Sequence, residues 1–366
     1  MRIICAIVAT LVFSGAAMAQ VAKDSAGARP WSESISFDFF LSTAYVYNAN
    51  NPDSLKNAYR VFDFDDNSFK VDVMEIVMKK DIVNAGDAGF RFDLEAGSSV
   101  PRIVRSSGFN CGDLDFHQLY LSYLTPVGNG IRLDAGKFIT PVGYEVIEGY
   151  DNFNDEYSHS FLFGYAIPYT HTGVKASYSF NSGLSALFMV VNGWDDAIDN
   201  NKSKTLGAQI GAAPLSGMNL SLGLLYGPEQ ANNNADNRTL LDVVCSYAVG
   251  NSMTLGFNGD YGTEQHLAAD GSTASWIGGA GYLKYKFQSD LSLAFRVEQF
   301  DDRDGTRTGV IQKLREATIA PEYLPTDHFA VRADFRLDGS DQNVFEKRGA
   351  ATNSQPTIGV NVLFWM

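Results

Sequence analysis

Along most of this chain, apolar and polar residues alternate with a period of two, in segments of about ten residues or more. Successive side chains of a strand point to opposite faces, so each such segment has one oily face and one polar face. Near 34–48, Ile35, Phe37, Phe39, Leu41 and Tyr45 share a face, and Ser34, Ser36, Asp38 and Ser42 take the other. Near 89–97, Phe90, Phe92 and Leu94 alternate with Arg91, Asp93 and Glu95. Ile131, Leu133 and Ala135 alternate with Arg132 and Asp134; Leu293, Phe295 and Val297 with Arg296 and Glu298. Phe329, Val331, Ala333, Phe335 and Leu337 alternate with Arg332, Asp334, Arg336 and Asp338.

A soluble sandwich also alternates, but its strands average ~5–6 residues. Stripes as long as these suit a tilted crossing of a bilayer, which takes ~9–11 residues. The connectors separate the two folds further. Short ones fall near 81–88, 125–130, 181–183, 214–218, 250–251, 289–290 and 325–327. Long ones fall near 50–68, 98–113, 140–171, 193–203, 227–237, 264–274, 303–313 and 339–354. Seven short turns alternating with eight long loops predict about sixteen antiparallel strands closed into a transmembrane barrel, an even number with short turns in the periplasm and long loops outside. Aromatic residues near the stripe ends, among them Tyr45, Tyr123, Tyr178, Phe180, Tyr226, Tyr247, Tyr261, Tyr285, Phe287, Tyr323 and Phe364, are placed as interfacial girdles would be.

Residues 1–19 have the form of a secretory signal: Arg2, an apolar run from Ile3 to Phe13, then Ala17-Met18-Ala19 as a cleavage site. The expected mature chain is 20–366, a single barrel with a short polar leader. The formal net charge of −14 argues against a nucleic-acid partner, which would favour a basic face. Cys111 and Cys245 are an even pair that an exported chain could join, although one lies in an expected loop and the other in mid-strand.

The connector 140–171 is the most distinctive segment. It carries Glu145, Glu148, Asp151, Asp155 and Glu156 among Tyr144, Tyr150, Phe153, Tyr157, Phe161, Phe163, Tyr165 and Tyr169. Loops beyond about 12–15 residues are usually functional or disordered, and this one is too aromatic for a solvated tail. It is expected to fold into the lumen, aromatics on the wall and carboxylates toward water; the alternative is an outer loop folded on itself. Opposite it, Arg91, Arg132, Lys137, Lys175, Arg296, Arg332 and Arg336 are expected to face inward, with Asp93, Glu95, Asp134 and Glu298 beside them. With Glu145, Glu148 and Asp151 these are the candidate pore-lining and constriction residues, since rings of charge set selectivity in pores. Individually, each is better read as paired with a neighbour and keeping the lumen wet; as a group they mark a polar, water-filled interior. An acidic chain with an acidic loop points to a mild cation preference.

No catalytic, cofactor or metal signature is legible. G-x-S-x-G, H-E-x-x-H, a P-loop and C-x-x-C are all missing from the sequence. His159 and His171 are twelve apart with no ordered carboxylate spacing, a weak metal signal, and His117 lies on a strand. Neither these nor His266 and His328 sit in a nucleophile motif, which disfavours an outer-membrane lipase. Gly278-Gly279-Ala280-Gly281 lies within a strand pattern and is taken as close strand packing.

The run Gly136-Lys137-Phe138-Ile139-Thr140-Pro141-Val142-Gly143-Tyr144-Glu145 resembles a segment of the OmpL-like beta-barrel porin-2 family. So do the stretch from Ser160 to Gly173, Tyr323-Leu324-Pro325-Thr326-Asp327 with Arg332-Ala333-Asp334-Phe335-Arg336 and Asp338, and Asn361 with Phe364. The resemblance spans nearly the whole mature chain and implies an outer-membrane channel with no catalytic residues to transfer. The chain ends Trp365-Met366, not on the aromatic residue usual in such barrels, so Phe364 and Trp365 would have to serve the barrel-assembly machinery.

The expected function is a water-filled porin for passive diffusion of small hydrophilic solutes or ions, without cofactor or enzymatic activity. Its expected surroundings are outer-membrane lipids and, by analogy with porins of this size, two further copies in a homotrimer. The alternative is a plugged outer-membrane barrel whose outer loops bind a partner.

Overall fold

The computed structural model describes residues 34–100 and 114–366. The period-two segments form strands β1 (Ile35–Asn48), β2 (Ser68–Lys80), β3 (Ala88–Ala96), β4 (Leu114–Leu124), β5 (Ile131–Ile139), β6 (Thr170–Asn181), β7 (Leu184–Val191) and β8 (Thr205–Ala212). They continue as β9 (Met218–Pro228), β10 (Asn237–Val249), β11 (Met253–Glu264), β12 (Ala274–Lys286), β13 (Leu291–Asp302), β14 (Gln312–Thr326) and β15 (Phe329–Ser340). A small hairpin, β16 (Phe345–Lys347) and β17 (Ala350–Thr352), precedes the last long strand, β18 (Ser354–Trp365). A short helix, α1 (Phe161–Tyr165), lies between β5 and β6.

Leaving β16 and β17 aside, the strands pair in chain order and antiparallel, and β1 pairs with β18 from Phe40↔Trp365 to Asn48↔Thr357. The result is a closed sixteen-stranded barrel. Closure leaves no edge with unpaired backbone groups, which is what hydrocarbon surroundings demand. The seven short and eight long connectors fall as the sequence pattern predicts, and β1 begins and β18 ends at the short-turn end.

Exposed apolar side chains form the outer surface: Leu121 on β4, Phe188 on β7, Leu222 and Leu224 on β9, Val297 on β13, Phe335 and Leu337 on β15. No helix among the described residues is long and apolar enough to cross a membrane, so the crossing is made by strands. Exposed aromatics occur at two levels. Tyr226 and Tyr261 lie toward the long loops; Tyr123, Tyr247, Tyr285, Phe287, Tyr323 and Phe364 lie toward the short turns. Two such belts mark the two interfaces of a bilayer. The inner face is polar, with Asp93, Asp134, Asp242, Asp260, Arg296, Glu316, Arg332 and Arg336 all buried.

The signal segment, the polar leader and Cys111 lie outside the described residues, while Cys245 sits on β10 with a free thiol. The glycines at 278–281 lie in β12 against neighbouring strands, and Gly278 has a further role. A Cβ at Gly278 would run into Leu162, a residue of the connector between β5 and β6.

Candidate functional site

That connector, residues 140–169, lies inside the barrel. Its apolar side chains Val142, Phe161, Leu162, Phe163, Ala166 and Ile167 join one buried cluster with Met189 on β7, Leu225 on β9, Leu240 on β10, Trp276 and Tyr282 on β12 and Phe300 on β13. Burying a large apolar side chain stabilises by about 1.5–3 kcal/mol, so the run Phe161–Phe163 alone holds the loop firmly. Two wall glycines make the fit possible. Beside Gly278, which admits Leu162, Gly256 on β11 leaves the space that the Tyr144 ring occupies, and Tyr144 stacks on Tyr282 with ring centroids 4.2 Å apart. Across the barrel, Phe153 packs between Phe40 on β1 and Trp365 on β18.

Polar contacts fix the loop between these anchors. Glu145 meets Arg296 Nη1 at 3.1 Å and accepts from Tyr282 Oη at 3.0 Å. Arg296 also donates to the carbonyl of Ser158 at 2.6 Å and pairs with Glu316 at 2.6 Å. Glu148 pairs with Arg332, which also donates to the carbonyl of Asn154. Asp155 pairs with Lys284 at 2.7 Å, and Asp151 pairs with Arg91. Asp334 accepts from the backbone of Tyr157 and Ser158 at 3.1 and 2.7 Å. At the start of α1, Ser160 caps the amide of Phe163 at 3.0 Å. The first free helix amides, of Phe161 and Leu162, donate to the Glu298 carboxylate at 2.5 and 2.9 Å. Such amides lack a partner within the helix, and a carboxylate from the wall satisfies them.

Burial dominates the loop's own ionisable groups. It raises Glu148 to about 7 despite Arg332, and Glu156 to about 8 despite Arg296. Burial would raise Glu145 as well, but Arg296, with help from His159 and the Ser160 amide, holds it below the ordinary carboxyl range. Burial depresses His159, which stacks on Phe62 of the first long connector at 3.9 Å and contacts the carbonyl of Val146 at 3.0 Å.

The family described as "Putative beta-barrel porin-2, OmpL-like" matches residues 34–365, nearly the whole described barrel. The chain belongs to that family. No curated protein matches it. Among solved structures it is similar to the outer-membrane channel DcaP of Acinetobacter baumannii, at 13% identity and TM-score 0.61, covering 94% of this chain and 99% of that one. An anion-selective porin from Comamonas acidovorans matches at 13% identity and TM-score 0.61, covering 91% and 99%. OmpT of Vibrio cholerae, in a trimer form, matches at 12% identity and TM-score 0.56, covering 91% and 99%. At these identities the structures show the shared fold. With the family, they make this chain a porin-like channel of the outer membrane, and its family is non-enzymatic.

In this porin the fourteen sequence-derived site residues fall into two groups and one exception. Glu145, Glu148, Arg296, Glu298, Arg332 and Arg336 are buried between loop and wall; Arg336 pairs with Asp338 at 2.7 Å and donates to the carbonyl of His159. Arg91, Asp93, Glu95, Arg132, Asp134 and Lys175 lie on the inner face of β3, β5 and β6, and Asp151 reaches toward them from the loop. Arg91 pairs with Asp93 at 2.7 Å, and Asp134 receives Arg132 at 2.9 Å and Lys175 at 3.5 Å. A polar cavity of about 270 Å³ opens here, lined by Lys79, Lys80, Asp81, Phe90, Arg91, Tyr120, Ser122, Arg132 and Asp151. Lys137 departs from the expected inward stripe. It stands opposite Leu119, in register with Leu133 and Ala135, and its Nζ folds back onto the carbonyl of Phe116 at 2.8 Å.

Two groups escaped sequence reasoning. Lys79 and Lys80 close the β2 stripe and edge the cavity, and their adjacency hid which of them points inward. Glu75 and His117 gather around Glu95 because a bulge in β4 opposite Asp93 and Leu94 turns both His117 and Gln118 inward, breaking the alternation on which the reading depended.

Proposed function

We propose that this porin passes small hydrophilic solutes passively along the wall formed by β2 to β6, with the inward loop as a fixed constriction. The observation that supports it is the asymmetry of the loop. Most of its main buried cluster lies against β7 to β13 and its arginine partners stand on β13 and β15, with lighter contacts at Phe40, Glu75 and Arg91, while a cavity of about 270 Å³ stays open against β2 to β5. In this reading Arg91, Arg132, Asp151 and Lys175 line the passage, and Glu145, Glu148, Arg296, Glu298, Arg332 and Arg336 hold the loop in place.

The cavity sets the inward cations Lys79, Arg91 and Arg132 against the carboxylates of Asp81 and Asp151, while Lys80, opposite Phe90, turns its Nζ to the carbonyl of Ala88. The acidic composition suggests cation preference, but the loop carboxylates Glu145 and Glu148 are spent on arginines. The cations at the passage are paired in turn, Arg91 with Asp93 and Arg132 with Asp134, so the passage is near charge balance and its selectivity is weak. Assembly as a homotrimer rests on analogy with OmpT, for which a trimer form is recorded.

The loop's reach across the lumen, from Phe40 to Leu225, is the observation that favours a plugged barrel whose outer loops bind a partner. Swelling of liposomes containing the purified barrel separates the two. A channel admits small sugars and excludes larger ones at a sharp size limit; a plugged barrel admits none.

A further inference from the structure

Glu75 on β2 and Glu95 on β3 stand directly opposite each other in the strand register, with both side chains buried. Like charges across a strand pair destabilise it, and in a buried setting the cost is larger. The nearest cationic group is His117, which the β4 bulge brings inward, with Nδ1 2.7 Å from Glu95 Oε1 and 3.5 Å from Glu75 Oε1; Lys137 acts on Glu95 from farther off, its Nζ bound to the carbonyl of Phe116. Apart from that ion-pair contact, the carboxylate oxygens of Glu95 and the ring nitrogens of His117 have no hydrogen-bond partner, although these side chains are 0% and 4% exposed. One imidazolium could offset only one of the two carboxylates.

One potential ligand atom from each of the three residues lies within 4.8 Å of the others. Nitrogen and oxygen ligands about 2.0–2.2 Å from a common tetrahedral ion lie roughly 3.4 Å apart, a spacing these side chains reach by small rotations. One imidazole with two carboxylates suits a first-row divalent ion such as Zn²⁺ better than Ca²⁺ or Mg²⁺, which favour all-oxygen shells. The second oxygen of Glu75 accepts the backbone amide of Tyr150 at 2.7 Å, so the same carboxylate touches the inward loop.

We propose that Glu75, Glu95 and His117 form a binding site for a first-row divalent metal ion in the lumen wall, and that the ion fixes Glu75 as the anchor for the loop at Tyr150. Two carboxylates and a neutral imidazole neutralise a divalent cation, which removes the like-charge conflict between β2 and β3. A bound ion supplies a partner to each orphaned atom that becomes a ligand.

The test is calorimetric titration of the folded, detergent-solubilised barrel, carrying no polyhistidine tag, with ZnCl₂, and with CoCl₂ followed by visible absorption. The expected result is one ion bound per barrel, with a Co²⁺ spectrum of low coordination number. Binding should be lost in His117→Gln and, independently, in Glu95→Gln. Heat-dependent gel migration confirms that each variant is folded, and either one alone suffices if the other fails to fold. Exchange of the exposed His266 and of His328 for Asn should leave the titration unchanged. Absence of saturable binding to the wild-type barrel overturns the proposal, as does one-per-barrel binding that survives in a folded His117→Gln or Glu95→Gln variant.

Discussion

Arg296 on β13 and Glu145 on the inward loop meet at 3.1 Å with almost no surface of either side chain left to solvent. A charge buried this deeply is stable only while paired, and removing one member of a buried pair costs about 3–5 kcal/mol. Arg296→Met takes the charged partner from Glu145 and leaves Glu316 only the more distant Arg336, whereas Glu145→Gln leaves Arg296 its contact with Glu316. Arg296→Met should therefore loosen the loop more. The measurement is single-channel conductance: a larger and noisier open level in Arg296→Met, a smaller change in Glu145→Gln.

The glycines that receive the loop give a second prediction. Gly278→Leu and Gly256→Leu add bulk where Leu162 and the Tyr144 ring now lie, while outward-facing barrel residues are untouched. Both variants should assemble as heat-resistant barrels and admit larger sugars in liposome swelling. An unchanged size limit in a folded variant would mean that the loop packs elsewhere.

Glu148 and Glu156 predict the pH response. Each holds its proton in the packed loop up to about 7 and about 8, because burial outweighs the arginine beside it. Glu148 faces Arg332, Asp72 and Asp334; Glu156 faces Arg296, Asp155, Asp334 and Glu145. A carboxyl released to water titrates near 4.5, so the packed state binds more protons between that value and the raised ones. Stability of the packed loop is thus fully present below about pH 4.5 and is lost as pH rises through about 7 and 8. Channel noise and mean conductance should increase from mildly acid to mildly alkaline solution. Glu156→Gln should flatten that dependence.

Charge at the passage predicts selectivity. Replacing Arg91 and Arg132 by Ala removes two cations at the cavity and frees Asp93, Asp134 and Asp151 from their arginine partners. The zero-current potential in a salt gradient should be small for the wild-type channel and shift toward cations in the double variant. A large wild-type potential on the cation side would return the selectivity to the acidic composition.

Much of the fold was legible because closure of a barrel in lipid leaves its mark on every strand. Each stripe, such as Phe329 to Asp338, must alternate over its whole length, and each hairpin repeats the short-turn, long-loop asymmetry. The inward course of residues 140–169 was also legible, from its density of aromatic residues. The wall it would choose was not. That depends on gaps such as Gly256 and Gly278, whose partners Tyr144 and Leu162 are more than 100 residues away in the chain. Nor could period alone show that Glu145 and Glu148 are consumed by Arg296 and Arg332, since inward charges read alike whether they face water or each other. His117 was obscured for a local reason: a one-residue bulge in β4 puts two neighbours on one face, and Lys137 escaped through its register with Leu119.

The most direct test is planar-bilayer recording of the purified, folded barrel. The account predicts discrete conductance steps for the wild type and larger steps for Arg296→Met. Barrels that insert in folded form yet carry no current, with the loop anchors intact or removed, would contradict it.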